Sequence, residues 1–464
     1  MVFSSFEFLL WFLPFCIATY ALTKKKYKNT MLLFFSVVFY AYGALEHPSH
    51  FVLIMLSVVI NWWLGCMIAR HRRQRKQYLV VGLVWDFGCL FVYKYLNFVL
   101  ESFNAISPFD FPLVDLVMPL GISFYTFQIA SYLIDVYRGS IEHEKSLINL
   151  GTYILFYPQL IAGPIVELAD VQQELHNRSF KARDVSEGLQ LFIIGLGKKV
   201  LLANQLAGLW SDLQGVGFES ISTKAAWMGI FAYSLQLYFD FWGYSQMAIG
   251  LGRIFGFRFP ENFKHPYISV TMTEFWRRWH ITLGTWFREY VYIPLGGNRG
   301  GTKKTYRNLL VVWLFTGLWH GADWNFVLWG LVLYGLIVLE KAKIGKFLNS
   351  HRTIGHLYMV FVTPLTWLIF NVSDLKQLAV YFGRLFGIGG EALFPKDYLN
   401  YIDTYGLYFV VGILCATPFV ENLYKALRRS RYANMRFLIL GGILFASCYC
   451  IYRGMNDPFL YFRF

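Results

Sequence analysis

Two histidines lie among tryptophans in residues 274–330, a stretch that begins EFWRRWHITL and later reads FTGLWHGADWNFVLWG. His320 lies in an apolar run long enough to enter a bilayer. Ionisable side chains at membrane depth are costly, so their default interpretation is functional. Imidazole titrates near neutrality and can take a proton from a hydroxyl and release it later. His320 is therefore a candidate general base, although a hydrogen-bonded structural role remains open.

His280 follows two arginines, Arg277 and Arg278, on what we expect to be one amphipathic helix at the membrane surface. Guanidinium groups bind phosphate and carboxylate well. A phosphate-bearing thioester, such as coenzyme A or a carrier-protein phosphopantetheine, would suit this basic surface, and Arg277, Arg278, Trp279 and Trp319 are the predicted donor-binding residues. Contact with anionic membrane lipid explains the same charges and stays open.

Asp240 and Asn325 are the predicted supporting polar residues. Asp240 lies near the middle of an apolar run, where a lone carboxylate should face the protein interior and find a donor. A catalytic role is open, but a structural hydrogen bond that fixes helix packing is favoured. The glycines of PLGGNRGG, residues 294–301, match no phosphate-binding loop and predict a tight turn.

The composition excludes an ordinary soluble protein, because 56% of the 464 residues are hydrophobic and only 15% are charged. We predict an all-α polytopic membrane protein with roughly 10–13 membrane helices and one integral membrane domain, residues 1–464. The net charge is +14, and the positively charged residues cluster at the ends of apolar segments. This distribution indicates membrane topology rather than nucleic-acid binding. The six cysteines lie in or beside apolar runs without a metal-binding pattern, so no metal is expected.

Basic clusters indicate the topology. Residues 5–22 read as a retained helix, and the lysines that follow, with the arginine-rich loop 70–76, are predicted to be cytoplasmic. Residues 152–167 contain two prolines and predict a re-entrant or broken helix, with a kinked ordinary span as the alternative. We expect residues 167–187 to form an amphipathic surface piece. Lys198 and Lys199 are expected to extend to an interface.

Several long motifs, in this order, resemble those of the membrane-bound O-acyltransferase (MBOAT) family, within it the bacterial alginate O-acetyltransferase type. They are FYPQLIAGPI, YFDFWGYSQMAIG, EFWRRWHITL, WFREYVYIPLGGNRGG, FTGLWHGADWNFVLWG and a terminal PFLYFRF. The resemblance implies that His320 is the essential histidine and His280 a second active-site polar residue. It also implies helices around a central tunnel, with re-entrant and amphipathic helices. Gln246 departs from the acid expected in the second motif.

The function implied is acyl transfer across a bacterial inner (cytoplasmic) membrane. A cytosolic thioester, most simply acetyl-CoA, would supply the acyl group, and no cofactor would be bound permanently. The acceptor would be an exported polysaccharide or an extracytoplasmic SGNH-type acyltransferase. Three alternatives remain: D-alanyl transfer to teichoic acid from an aminoacyl carrier protein, transport of a polysaccharide or lipid, and a scaffold for a synthase complex.

Overall fold

The computed structural model describes residues 2–161, 163–390 and 392–454, and within those ranges the chain is helical and contains no β-strand. The α-helices of the first half are α1 (Leu13–Leu22), α2 (Lys28–Gly43), α3 (Pro48–Arg70), α4 (Arg75–Leu90), α5 (Leu96–Asn104), α6 (Ile122–Arg138), α7 (Leu147–Leu155), α8 (Tyr157–Leu160), α9 (Leu168–His176), α10 (Ala182–Gly197) and α11 (Asn204–Val216). Those that follow are α12 (Thr223–Ile254), α13 (Met272–Trp276), α14 (Ile281–Phe287), α15 (Thr302–His320), α16 (Trp324–Leu339), α17 (Gly345–Ser350), α18 (Arg352–Asn371), α19 (Leu375–Leu385), α20 (Asp397–Ala416), α21 (Pro418–Arg429) and α22 (Met435–Tyr452). The terminal motif PFLYFRF lies outside the described residues.

Six helical stretches are long and apolar enough to cross a membrane, which confirms the predicted all-α polytopic membrane fold. They are Pro48–Arg70, Arg75–Asn104, Ala182–Val216, Arg352–Asn371, Asp397–Ala416 and Met435–Tyr452. A π-helical turn joins α4 to α5, and another joins α10 to α11. Several other predicted spans are shorter than the roughly 20 residues that a straight crossing needs. Both α2 and α16, for example, have 16 residues.

The chain divides into two compact units. The first comprises residues 1–192 and 245–261, and its core includes an aromatic cluster of Phe8, Phe39 and Tyr157. The second comprises residues 193–244 and 262–464, and it contains both candidate histidines.

The predicted break in residues 152–167 is confirmed. Helix α7 ends at Leu155, and Phe156, with ψ of 107°, leaves helical geometry before the short helix α8. Pro158 lies in the first turn of α8, where its missing N–H costs no intrahelical hydrogen bond. Helix α6 likewise begins only after Gly121, whose φ of 73° suits glycine. The helix therefore starts at Ile122.

A tight hairpin of α15 and α16 places His320 in the second unit. A Cβ on Gly330 would lie 2.5 Å from the Trp313 carbonyl oxygen, and one on Gly317 would meet the Phe326 carbonyl. Small residues allow such a close approach of two helix backbones. Helix α15 ends at His320, the next residue is extended, and Asp323 then caps α16 through the Trp324 N–H. The hairpin therefore fixes the position of His320.

Candidate active site

His280 occupies a break between two helices, which corrects the prediction of one helix through the arginines and this histidine. Helix α13 ends at Trp276 and α14 begins at Ile281. His280 lies between them with φ of 44° and ψ of 54°, in the left-handed region. A non-glycine residue there is uncommon, and such backbone strain clusters at functional sites. The turn directs His280 into the core, where it is only 1% exposed.

Asn262 orients the His280 ring. Asn262 Oδ1 lies 3.1 Å from His280 Nδ1 and also accepts hydrogen bonds from the Thr282 N–H and hydroxyl, at 3.3 and 2.9 Å. Because a backbone N–H can only donate, the asparagine atom here is the oxygen, and His280 Nδ1 must carry the proton. Burial lowers the pKa of His280 to about 3. The ring is therefore neutral at physiological pH, with its lone pair on Nε2.

A distant carboxylate anchors the helix that precedes the His280 turn. Glu340 is buried and accepts hydrogen bonds from the Met272 and Thr273 N–H groups, at 2.6 and 2.9 Å, and from the Thr273 hydroxyl at 2.8 Å. These N–H groups belong to the first turn of α13, where backbone N–H groups have no intrahelical acceptor. A negative charge is also favourable at a helix N-terminus. Glu340 therefore positions the segment that leads to His280.

His320 lies in an aromatic environment with 4% of its surface exposed. Its ring centroid is 4.9 Å from that of Trp319, 5.1 Å from that of Trp329 and 5.2 Å from that of Phe370. Each of these contacts is edge to face, so several apolar surfaces hold the imidazole. Apolar surroundings disfavour the charged ring and suit a neutral base.

Trp319 contacts both histidines. Its ring centroid lies 5.8 Å from His280 and 4.9 Å from His320. The structure thus brings together two histidines that are 40 positions apart in the sequence. Trp319 is itself buried, so the cluster is a packed unit rather than a surface patch.

Asn325 supports the wall of this cluster. Its Nδ2 donates to the carbonyl oxygens of Ile369 and Phe370, at 3.2 and 2.9 Å. These carbonyls belong to the end of α18, where the helix leaves its acceptors without intrahelical partners. Because Phe370 packs on His320, this contact links the predicted polar residue to the histidine indirectly.

Asp240 has the donor that the sequence led us to expect. Lys199 Nζ lies 2.7 Å from Asp240 Oδ1, and the side chains are 2% and 1% exposed. The prediction that Lys199 extends to an interface is wrong, because its side chain is buried. The carboxylate of Asp240 compensates its positive charge there. Phe241, the residue after Asp240, packs on His280 with ring centroids 4.7 Å apart. The ion pair thus fixes a helix that supports the second histidine.

The predicted donor-binding residues lie in different environments. Arg277 is exposed. Arg278 is half-buried, pairs with Glu274 at 2.9 Å and donates to the Lys264 carbonyl at 3.1 Å. Trp279 is buried, with its ring 4.9 Å from that of Trp367. Arg277 is therefore the most exposed of these three residues.

Sequence reasoning missed Asn262, Glu340 and the partner of Asp240. Each acts over a long separation: Asn262 is 18 residues from His280, Lys199 is 41 from Asp240, and Glu340 is 68 from Met272. A single sequence carries no periodic signal for such pairs. Among the residues that the structure describes, no group of three or more metal-binding side chains comes together.

The fold and the site place the chain among helical membrane proteins that hold two buried histidines in one aromatic cluster. Comparison with known proteins identifies the family. Residues 140–347 match the model of MBOAT, the membrane-bound O-acyltransferase family. The chain is 40% identical to a protein of Pseudomonas putida named probable alginate O-acetylase AlgI, over all of both chains. It is 34% identical to the peptidoglycan O-acetyltransferase of Helicobacter pylori, over 85% of this chain and 81% of that one.

A more distant relative is the teichoic acid D-alanyltransferase of Streptococcus thermophilus, 27% identical over 58% of this chain and 71% of the relative. Taken together, these similarities show that the chain belongs to the membrane-bound O-acyltransferase family. It is a multi-pass membrane protein and an O-acyltransferase.

Proposed function

We propose that this enzyme moves an acetyl group from a cytosolic thioester to a hydroxyl of an exported polysaccharide, directly or through an extracytoplasmic SGNH-type acyltransferase. The relatives named for alginate and peptidoglycan acetylation support a polysaccharide acceptor. The bacterial inner membrane is the proposed location, and residues 1–464 act as a single membrane domain. Acetyl-CoA is the simplest donor, with an acyl carrier protein as the other thioester source.

The observation that carries the proposal is the contact of Trp319 with both histidines. His320 accepts the proton of the acceptor hydroxyl while the oxygen of that hydroxyl attacks the thioester carbonyl. The carbon–sulfur bond then breaks, the proton passes to the leaving thiolate, and an ester and a free thiol result. Exclusion of water around these rings protects the thioester from hydrolysis.

His280 has a different role, which its hydrogen bond to Asn262 defines. A neutral ring with the proton on Nδ1 cannot donate from Nε2. His280 therefore accepts a hydrogen bond from a substrate O–H or N–H and orients it, rather than stabilising an oxyanion. Holding a reactant in the attacking geometry is itself a large part of catalysis.

The donor enters, in this proposal, from the predicted cytoplasmic side, where Arg277 is exposed. A guanidinium group there would attract the phosphates of coenzyme A or phosphopantetheine. Trp279, Trp319 and Arg278 would support this end of the site through packing and the ion pair with Glu274.

The test compares His320→Ala with His351→Ala, an exposed histidine of the same unit. Membranes containing each variant receive labelled acetyl-CoA and the polysaccharide acceptor. We expect loss of at least about a hundredfold in acetyl transfer for His320→Ala and none for His351→Ala, with equal protein levels and melting temperatures. Unchanged transfer by folded His320→Ala would reject the proposal.

D-alanyl transfer is the second candidate, because of the teichoic acid relative. It predicts labelling of the acceptor from a D-alanyl carrier protein but not from acetyl-CoA. Supplying each donor separately to the same membranes decides between the two. Membership of an acyltransferase family favours both over a transporter or a scaffold.

A further inference from the structure

A basic pocket of about 430 Å³ lies in the first unit, apart from the residues of the candidate active site. It is formed where the loop between α1 and α2 meets α7 and the end of α9. The lining residues are Lys25, Lys26, Lys28, Asn29, Asn149, Leu175, His176 and Arg178. None of these is an aspartate or a glutamate.

Arg178 is built rigidly into this pocket. Its Nε donates to the Tyr20 hydroxyl and the Phe255 carbonyl, at 2.9 and 3.1 Å. Its Nη1 donates to Asn29 Oδ1 and to the Glu174 carbonyl, at 2.6 and 3.1 Å. The guanidinium carbon also lies 4.4 Å from the centre of the Phe257 ring. All these partners are uncharged groups, so they orient the guanidinium without neutralising it.

The lysines add charge that is only partly compensated. Lys25 donates to Asn177 Oδ1 at 2.8 Å, and Lys28 lies over the ring of Tyr20 at 4.4 Å. Burial and, secondarily, the positive charge of Arg178 lower the pKa of Lys28. Two carboxylates lie near this pocket: Glu144 pairs with His176 at 2.9 Å, and the negative charge of Glu174 acts on Arg178. The three lysines and Arg178 outnumber these carboxylates, so the pocket favours an external anion.

We propose that this pocket binds the phosphate group of a ligand whose net charge is negative. Convergence of ammonium groups on a pre-oriented guanidinium is the arrangement that recognises phosphate oxygens. The pocket lies within a few residues of the ends of α1 and α2, where a phospholipid headgroup would sit, and on the predicted cytoplasmic side. The phosphate could thus come from an anionic lipid or from a soluble phosphate compound.

The experiment uses the full-length chain in detergent and follows its melting temperature. The probes are short-chain phosphatidylglycerol, short-chain phosphatidylcholine and inorganic phosphate. Lys26→Gln/Lys28→Gln removes two charges from the pocket. Arg72→Gln/Arg73→Gln is the matched control, because it removes two charges from an exposed loop of the same unit.

We expect saturable stabilisation of the unaltered chain by an anionic probe but not by phosphatidylcholine. The pocket variant should need about tenfold more probe for half-saturation, and the control less than about threefold more. Stabilisation by phosphatidylglycerol alone would identify a lipid headgroup, and saturation by inorganic phosphate a soluble source. Both outcomes support the pocket.

Three outcomes would overturn the proposal: no saturable effect, equal effects of the two lipids, or equal weakening in the two variant pairs. Lys25→Gln/Lys26→Gln alters exposed residues alone and repeats the test if Lys28→Gln impairs folding. The readout is binding rather than acyl transfer, so its result is independent of the proposed function.

Discussion

The Nδ1 atom of His280 lies 3.1 Å from Oδ1 of Asn262. This oxygen also accepts hydrogen bonds from the Thr282 N–H and hydroxyl. This contact selects one tautomer and holds a ring whose backbone is in the left-handed region. It therefore determines which nitrogen of His280 carries the proton.

Removing this acceptor should impair turnover more than stability. In Asn262→Leu, His280 loses the group that fixes its tautomer and orientation, and misplacement of a reacting group can cost about a hundredfold in rate. We expect a fall in kcat of that order, with KM for the thioester little changed. Asn262→Asp keeps an acceptor oxygen and should retain more activity. Equal losses in the two folded variants would contradict an orienting role.

The pH dependence of Asn262→Asp provides a separate prediction. In the unaltered enzyme the pKa of His280 is about 3, so the ring stays neutral and contributes no acid limb above pH 5. A carboxylate at position 262 favours the protonated ring and raises its pKa. Protonation removes the Nε2 lone pair, so activity should fall as the pH decreases through the raised pKa. A kcat profile from pH 5 to 9 measures this, and identical profiles would contradict the prediction.

Glu340 should affect the His280 turn from a distance. In Glu340→Ala, the Met272 and Thr273 N–H groups lose their acceptor, which costs about 1–3 kcal/mol for each buried donor left unsatisfied. We expect a lower melting temperature together with reduced kcat, and partial recovery of both in Glu340→Gln. Glu289→Ala, at a half-exposed acid of the same unit, serves as the control. A loss in Glu340→Ala no greater than in the control would exclude the anchoring role.

The helices were more predictable from the sequence than the site. Long apolar runs predicted membrane helices, and the structure has helices of that kind at Arg352–Asn371 and Met435–Tyr452. A helix that crosses the lipid bilayer must be apolar along most of its length, so a long apolar run in the sequence predicts such a helix. Pro158 similarly marked a real break. The His280 turn was not predictable in this way, because a remote asparagine and carboxylate, rather than local helix propensity, stabilise it.

Removing one partner of the buried pair of Lys199 and Asp240 should destabilise the protein strongly, whereas replacing both partners by apolar residues should change its stability little. Removing one partner leaves a charge in the core, which typically costs about 3–5 kcal/mol, whereas an apolar pair of similar size is often neutral. We expect Lys199→Met and Asp240→Leu each to lower the melting temperature strongly, and the double variant to recover much of the loss. Arg288→Met, at an exposed pair, should cost about 0–1 kcal/mol. Additive losses in the double variant would contradict this account.

The α15–α16 hairpin offers a test of how packing controls the His320 position. A methyl group at residue 330 would lie 2.5 Å from the Trp313 carbonyl oxygen, which belongs to backbone and cannot rotate away. Gly330→Ala must therefore separate the helices and displace the end of α15. Gly335→Ala lies on the same helix, but apart from the adjacent backbone of that helix no atom lies within 4 Å of the added methyl.

Because alanine is the better helix former by about 1 kcal/mol, Gly335→Ala should preserve or raise the melting temperature. Gly330→Ala should lower the melting temperature and the acetyl-transfer rate together, since overpacking typically costs about 1–3 kcal/mol. Purified variants compared in one detergent supply both readouts. Equal behaviour of the two alanine variants would mean that helix propensity, rather than close backbone packing, dominates in this hairpin.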